Sequence, residues 1–198
     1  AALRRARHGT RAWLLLGGDV RRSVSPEMLN RAFEDAGADV VAIRWSCADP
    51  RPPLEALVEF GWAGAAVTIP HKETVRDLLL ARGAPLGTDA REAGAVNTVL
   101  VRDGGLHGEN TDVGGLLDAL APHLPEGLRG GTGLVLGAGG AARAAVVAVR
   151  RLGGRPVALA RRPEAAGPLL EIGAAAVAAD PGEALAAVLA LVVDATPA

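Results

Sequence analysis

The stretch Leu134–Ala142, LVLGAGGAA, joins an apolar run to a glycine-rich turn and then to an alanine-rich segment. The apolar run predicts a buried strand, and the segment after the turn predicts a helix that continues to Leu152. A G-x-G-x-x-A turn between a strand and a helix is typical of a dinucleotide site, because its glycines let the backbone approach a pyrophosphate at the helix N-terminus. The alternative interpretation is a tight turn in a glycine-rich chain.

Strands alternate with helices on the C-terminal side of this turn. The pattern predicts strands at Pro156–Ala160, Ala174–Ala178 and Leu191–Asp194, with helices over 165–172 and 180–189. An acid at the end of the second strand of such a unit favours NAD, whereas arginine accommodates the 2′-phosphate of NADP. Arg161 and Arg162 follow Ala160, which favours NADP. The alternative is a pair of solvated arginines in an arginine-rich chain.

The same alternation runs through the N-terminal half. The pattern predicts strands at Ala12–Leu16, Val40–Trp45, Ala65–Ile69 and Val96–Val101, and helices from Ser25, over 54–60, over 73–80 and over 112–120. Ser25 is predicted to cap its helix, with Pro26 at the first helical position. A segment rich in proline and glycine, Pro122–Gly133, separates the halves. We therefore predict two α/β domains, 1–117 and 118–198, with mostly parallel sheets, crossover helices and a site in the cleft between them.

Composition excludes several classes of protein. The 198 residues are 49% hydrophobic and 22% charged, with a net charge of −1, so nothing favours binding to nucleic acid or to an anionic membrane. The single cysteine, Cys47, excludes an internal disulfide framework and a cysteine-based zinc site, and it indicates a reducing, cytoplasmic setting. The four histidines lack metal-ligand spacing, so we expect no metal. No apolar stretch reaches the roughly 18–20 residues of a membrane span.

One residue type is conspicuously rare. Lys72 is the single lysine beside twenty arginines, and it follows a predicted strand, where open α/β sheets bind ligands. Lysine can lose a proton, which arginine cannot, so the position suggests a general acid or base, although an exposed lysine remains the alternative. Asp112 could orient such a lysine or cap the helix that it begins.

Serine and asparagine are nearly as rare, with three of each. Ser23 and Ser25 follow the first predicted strand, and a pair of hydroxyls there can hold a carboxylate or a polyol. Asn97 supplies a neutral amide suited to reading a hydroxyl group. His71 is given no functional role.

Five segments together carry a family resemblance. In chain order they are SVSPEMLN at 23–30, VTIPHKE at 67–73, GAVNT at 94–98, GENTDVG at 108–114 and the turn at 137–143. The array resembles the shikimate dehydrogenase (shikimate/quinate dehydrogenase) family from about Leu14 onward. Each segment alone is modest, whereas five in order are highly specific.

The resemblance implies an NADP-dependent enzyme of chorismate and aromatic amino acid biosynthesis that reversibly reduces 3-dehydroshikimate to shikimate. It implies a substrate-binding domain over 1–117 and a Rossmann-like NADP-binding domain over 118–198. Lys72 would be the catalytic acid/base paired with Asp112. Ser23 and Ser25 would bind the substrate carboxylate, and the hydroxyl groups of the substrate would be bound by Thr68, Asn97 and Asp112.

On the cofactor side, the resemblance implies three groups of contacts. The pyrophosphate would be bound by Gly137, Ala138, Gly139, Gly140 and Ala141. Arg161, with Arg162, would bind the adenosine phosphate, and Thr196 would lie beside the cofactor. Ala160, Arg161 and Arg162 stand where the family typically has Asn, Arg and Thr.

Two alternatives and one expectation about length accompany this interpretation. A paralogue could act on quinate or an amino-shikimate, and a protein that binds ligand or cofactor without turnover is a second possibility. The family continues for tens of residues past the segment at 194–197, so we expect this chain to lack a C-terminal segment. We accordingly expect 118–198 to be the less stable domain and the chain alone to have little activity, as a monomer or homodimer.

Overall fold

The computed structural model describes residues 6–178, 180, 182 and 189–196, and the first half of them builds a five-stranded sheet. The strands are β1 (Arg11–Gly17), β2 (Val40–Ser46), β3 (Gly64–Val67), β4 (Thr98–Arg102) and β5 (Gly105–Glu109), in the order β2-β1-β3-β4-β5. Three consecutive residues of β1, Leu14, Leu15 and Leu16, are buried. Both faces of β1 are therefore covered, as the continuous apolar run of a parallel strand requires.

Helices α1 (Ser25–Asp35), α2 (Arg51–Glu59) and α3 (Lys72–Ala81) follow β1, β2 and β3 in turn. Leu54 and Leu57 of α2 are fully buried, as are Val75 and Leu79 of α3. All three helices end before a glycine with positive φ, a conformation that glycine adopts without a Cβ penalty. The predicted order of strands and helices is confirmed up to α3, and α2 begins at Arg51, three residues before its predicted start.

The prediction of a mostly parallel sheet is wrong for β4 and β5. These strands form an antiparallel hairpin, and β4 also runs antiparallel to β3. Asp103 and Gly104 make the turn with φ values of 51° and 73°, as a two-residue type I′ turn requires. The short β5 contains two glycines, Gly105 and Gly108, and lacks the β-branched run that would predict a strand.

The second half of the chain builds a four-stranded, all-parallel sheet. Its strands are β6 (Thr132–Leu136), β7 (Arg155–Leu159), β8 (Ala176–Ala178) and β9 (Leu189–Asp194), in the order β8-β7-β6-β9. Helix α6 (Gly140–Arg151) follows β6, and a 3-10 turn at Pro163–Ala166 leads into α7 (Gly167–Glu171) after β7. The order is that of the first half of a doubly wound dinucleotide fold plus its fourth strand, as predicted. The helix predicted over 180–189 lies outside the described residues.

Two further helices pack against α6 in the second half. They are α4 (Thr88–Ala93), which the sequence pattern does not predict, and α5 (Thr111–Leu120). Ala93, Val113, Ala144 and Val147 form one buried cluster that joins α4 and α5 to α6. Arg151 at the end of α6 also forms ion pairs with two acids of α4, at 2.6 Å and 3.1 Å.

These contacts divide the chain into two compact units. One contains Ala1–Gly87 and Val96–Glu109, and the other contains Thr88–Ala95 and Asn110–Ala198. The predicted boundary after residue 117 falls within α5, whereas the two units divide between Glu109 and Asn110. Helices α4 and α5 belong to the second unit because they pack against α6. The assignment of substrate to the first domain and dinucleotide to the second stays a prediction. Within the described residues, no helix combines the length and the apolar character that crossing a membrane requires.

Replacing Arg151 with Met should loosen α4. The change removes two partly exposed ion pairs, to Asp89 and Glu92, each contributing roughly 0.2–1 kcal/mol. Amide exchange at Ala95, whose N–H bonds to the Ala90 carbonyl at 3.2 Å, should accelerate about fivefold for a loss of about 1 kcal/mol. Arg91→Met, an exposed position on the same helix, is the control. Equal exchange in both variants would show that apolar packing alone holds α4.

Candidate active site

The carboxyl ends of β1 and β3 approach each other closely. A Cβ added to Gly17 would lie 2.5 Å from Cγ2 of Thr68 and 2.7 Å from Cγ1 of Val20. The Thr68 N–H also donates to the carbonyl of Leu16 at 2.8 Å. Since β2 lies on one side of β1 and β3 on the other, this is the switch point of the sheet, where open α/β sheets bind ligands.

Two serine hydroxyls lie together in the loop that leads from β1 into α1. Ser23 Oγ donates to Ser25 Oγ at 3.1 Å and accepts from the Ser25 N–H at 3.3 Å. The prediction that Ser25 caps α1 is wrong: Val24 occupies the cap position without a side-chain bond, and Ser25 is the first helical residue. Its hydroxyl is therefore engaged with Ser23, at the N-terminus of the helix.

Backbone hydrogen bonds bring the segments of Lys72 and Asn97 to the same end of the sheet. Lys72 begins α3, and its carbonyl accepts from the Val96 N–H at 2.9 Å. The next residue, Asn97, accepts from the Val67 N–H at 2.6 Å and donates its own N–H to Glu109 at 3.0 Å. Asn97 is buried between β3 and β5. The structure thus places three predicted substrate residues, Thr68, Lys72 and Asn97, on adjoining segments.

His71, beside Lys72, has a structural role. It is 3% exposed, and its Nε2 lies 2.8 Å from the carbonyl oxygen of Cys47, the residue after β2. Through this contact the His71 imidazole joins the loop after β2 to the loop after β3. The Cys47 thiol beside it is partly buried, and this burial raises its pKa.

Asp112 lies in the second unit, in the first turn of α5. The helix is capped by Asn110, whose Oδ1 accepts from the Asp112 N–H at 3.0 Å and the Val113 N–H at 3.4 Å. The Asn110 Nδ2 donates to the Ala95 carbonyl at 2.9 Å, and Asn110 is buried. The alternative that Asp112 serves as the cap is therefore wrong. Its pairing with Lys72 stays a prediction.

The glycine-rich turn after β6 is shaped by a close approach to the segment after β9. Gly137 has a φ of 118°, and a Cβ there would lie 2.9 Å from the carbonyl oxygen of Ala195. Gly139 is the cap residue of α6 and, having no side chain, leaves the first turn of the helix uncapped. Ala142 is fully buried against the sheet. A turn whose first residue must be glycine, followed by a helix N-terminus without a side-chain cap, can hold a pyrophosphate.

The remaining predicted cofactor residues lie after β7 and β9. Arg161 and Arg162 are exposed, and neither forms an ion pair with another residue in the described part of the chain. Thr196 donates its N–H and its hydroxyl to Asp194 Oδ1, at 3.0 Å and 2.7 Å. These hydrogen bonds lower the pKa of the Asp194 carboxyl. Thr196 directly follows Ala195, whose carbonyl oxygen lies against Gly137 of the glycine-rich turn.

Comparison with known proteins places the chain in a family. A family model described as "Shikimate dehydrogenase substrate binding domain" matches residues 15–99. The shikimate dehydrogenase (NADP(+)) of Geobacter sp. (strain M21) is 43% identical over 155 residues, 77% of this chain and 52% of that protein. The solved structure of shikimate 5-dehydrogenase from Thermus thermophilus, in complex with NADP(H) and shikimate, matches with a TM-score of 0.77 and 33% identity, covering 94% of this chain and 68% of that one. The chain belongs to the shikimate dehydrogenase family.

Within the shikimate dehydrogenase family, this chain spans about half the length of the curated relatives that it matches. A third relative has another substrate in its name. The quinate dehydrogenase from Corynebacterium glutamicum, solved in complex with NAD, matches with a TM-score of 0.80 and 26% identity over 95% of this chain and 71% of that one.

Three supporting residues escape sequence reasoning in this member of the family. Asn30 and Asn110 hold backbone groups, and their rarity is a signal that sequence reasoning could have used. Arg44 binds the carbonyl of Ser23, but as one of twenty arginines it carries no signal.

The Asn110 cap can be tested by stability. Asn110→Ala should cost about 2–3 kcal/mol, because it removes a helix cap and leaves the buried Ala95 carbonyl without its donor. Asp112→Ala should cost only about 0.3–1 kcal/mol, the usual contribution of an acid to the first turn of a helix. Urea unfolding followed by circular dichroism measures both values. An equal cost for the two variants would show that the Asn110 cap contributes no more to the stability of α5 than the Asp112 carboxylate does.

Proposed function

We propose that this chain carries the substrate-binding and proton-transfer residues of an NADP-dependent shikimate dehydrogenase, which reversibly reduces 3-dehydroshikimate to shikimate. The observation that carries the proposal is the placement of Lys72, the single lysine, at the first position of α3 beside the β1–β3 switch point. Family membership supports the same activity, since relatives bear this name.

The substrate carboxylate binds at Ser23 and Ser25 in this proposal. Their hydroxyls are already adjacent, with the two Oγ atoms 3.1 Å apart where α1 begins. Hydroxyl donors favour an anion. Thr68 and Asn97 bind ring hydroxyls from the end of β3 and the start of β4, with Asp112 as a third partner.

Lys72 moves the proton. In the reducing direction its ammonium donates a proton to the substrate carbonyl oxygen, and in the oxidising direction the neutral amine takes that proton from the hydroxyl. Arginine could not serve in both directions, because it does not lose its proton in proteins. The Asp112 carboxylate orients the lysine and contacts the substrate.

The residues present fit NADP. Gly137 leaves room that a Cβ would fill, the first turn of α6 has no side-chain cap, and two exposed guanidiniums follow β7. The glycine-rich turn would hold the pyrophosphate, and Arg161 with Arg162 would hold the 2′-phosphate. When bound, the reduced cofactor supplies the hydride for the substrate carbonyl carbon. Thr196 would lie beside the cofactor.

Quinate is the second candidate substrate. The observation that favours it is the likeness to a quinate dehydrogenase with a TM-score of 0.80. The carboxylate site and the proton donor would be the same, and only the ring contacts would differ.

Separate binding and turnover measurements test the function. Calorimetry should show binding of shikimate and of NADP⁺ to the chain, and the absorbance of the reduced cofactor reports turnover with shikimate, quinate or an amino-shikimate. Binding of both ligands with low turnover is the expected result for this chain alone, whereas binding with no turnover of any of the three substrates would favour a protein that binds ligand without catalysis. Binding of neither would contradict the proposal.

Replacing Lys72 should separate turnover from binding. Lys72→Met should lower turnover by roughly 10²–10⁴-fold, the usual contribution of a positioned proton donor, with shikimate affinity changed much less. Asp112→Asn should lower both, because the carboxylate contacts substrate and lysine. Turnover of Lys72→Met within about threefold of the unmodified protein would remove Lys72 from the mechanism.

Replacing Arg161 and Arg162 together with Ala should erode the preference for NADP⁺ over NAD⁺. A charged hydrogen bond contributes about 1.5–3 kcal/mol, so NADP⁺ affinity should fall at least about tenfold while NAD⁺ affinity stays constant. Arg155→Ala, an exposed position at the opposite end of β7, is the matched control. Equal affinity of the unmodified chain for the two cofactors would show that the arginines are only surface charge.

A further inference from the structure

The loop that carries Ser23 is bound by a side chain from the edge strand of the sheet. Arg44 of β2 donates from Nε and Nη2 to the Ser23 carbonyl oxygen, at 3.1 Å and 2.5 Å. Its Nη2 also lies 2.6 Å from both carboxylate oxygens of Glu27, in the first turn of α1. One guanidinium therefore joins the loop before α1 to the first turn of that helix.

A second polar pair fixes the same helix to the same strand one turn later. Asn30 donates from Nδ2 to the Ala42 carbonyl at 3.0 Å and accepts from the Ala42 N–H at 2.8 Å. Ala42 and Arg44 are two residues apart on β2 and therefore lie on the same side of the strand. Glu27 and Asn30 are three residues apart on α1 and therefore lie on the same face of the helix. Strand β2 is itself in register with β1 over all seven residues.

The Arg44–Glu27 pair is suited to fixing geometry rather than to supplying charge. The hydrogen bonds from Arg44 lower the pKa of the Glu27 carboxyl, so the two groups form a neutral unit. The Arg44 side chain is 34% exposed, which leaves its charge largely screened by solvent. What the guanidinium uniquely offers is a planar fork that bonds a carbonyl and a carboxylate at once.

We infer that Arg44 is a positioning residue for the carboxylate subsite: by holding the Ser23 carbonyl and Glu27, it sets the direction in which the Ser23 and Ser25 hydroxyls face the substrate. This role rests on the proposed function. The carbonyl of Ser23 would repel an anion if the loop turned it toward the subsite, and the Arg44 fork prevents that rotation. Asn30 supports the same placement by fixing α1 along the strand edge.

The test compares shikimate with its methyl ester, which has the same ring but no negative charge. Affinities of both ligands for the full 198-residue chain are measured by calorimetry in unmodified, Arg44→Met and Arg44→Lys protein. Arg44→Met should weaken shikimate binding about tenfold, roughly the effect of losing one hydrogen bond to a charged group, while ester binding changes less than about twofold. Arg44→Lys should restore little, because an ammonium lacks the fork.

Arg31→Met is the matched control. Arg31 is on the same helix and forms an exposed ion pair with Asp35, away from the serine loop. The Arg31→Met protein should bind shikimate and the methyl ester with the same affinities as the unmodified chain. Thermal unfolding by circular dichroism checks that every variant is folded.

Four other results would contradict the positioning role of Arg44, each in a different way. An equal loss for shikimate and ester would show a merely structural role, and unchanged shikimate affinity in Arg44→Met would exclude any role. Full restoration in Arg44→Lys would show that charge matters rather than geometry. If the unmodified chain binds shikimate no better than the ester, the carboxylate assignment of the serines fails, which is a failure of the proposed function and is distinguishable from the others.

Discussion

The close approach of parallel strands at their carboxyl ends determines where the candidate functional residues of each unit lie. In the first unit a Cβ on Gly17 would meet Thr68, and in the second a Cβ on Gly137 would meet the Ala195 carbonyl. Both contacts occur where the strand order reverses, between β1 and β3 and between β6 and β9. Glycine is required there because the chain following one strand touches the end of its neighbour. The crevice left at each reversal is then lined by the residues that come next.

Rare polar residues support these crevices chiefly by binding backbone. Ser46 accepts from the Val20 N–H at 3.1 Å, Asn30 bonds both backbone groups of Ala42, and Asn110 caps α5. A buried or edge backbone group left without a partner costs about as much as a lost hydrogen bond. Serine and asparagine are rare in this chain, so their presence at a position indicates that a polar side chain is needed there. At these three positions the side chain forms hydrogen bonds to backbone groups rather than being needed to contact a ligand.

The sequence predicts the parts of the fold whose burial is complete. Parallel strands covered on both faces appear as apolar runs, and helices that end at glycine have visible boundaries, so α1 to α3, β6 and β7 follow from pattern alone. The apolar run of β9 also predicts a strand, although its residues alternate between half-buried and exposed. The β5 strand and the six-residue α4 escape because each is too short for a period to show. The site residues at strand ends, Thr68 and Lys72, are predicted for the same reason as the strands. The capping roles given to Ser25 and Asp112 fail because a cap depends on extended backbone at one position, which pattern does not specify.

Helix stability does not explain the placement of Lys72. A cation in the first turn of a helix opposes the helix dipole by roughly 0.3–1 kcal/mol, and acids are the residues usually favoured there. The chain follows that rule at α1, α3 and α5, where Glu27, Glu73 and Asp112 lie in the first turns. Lys72 breaks it at the position immediately before Glu73, in a chain that uses arginine for every other permanently cationic side chain. A residue that the helix dipole disfavours at this position, and whose charge an arginine would supply equally well, is best accounted for by a task that needs an exchangeable proton.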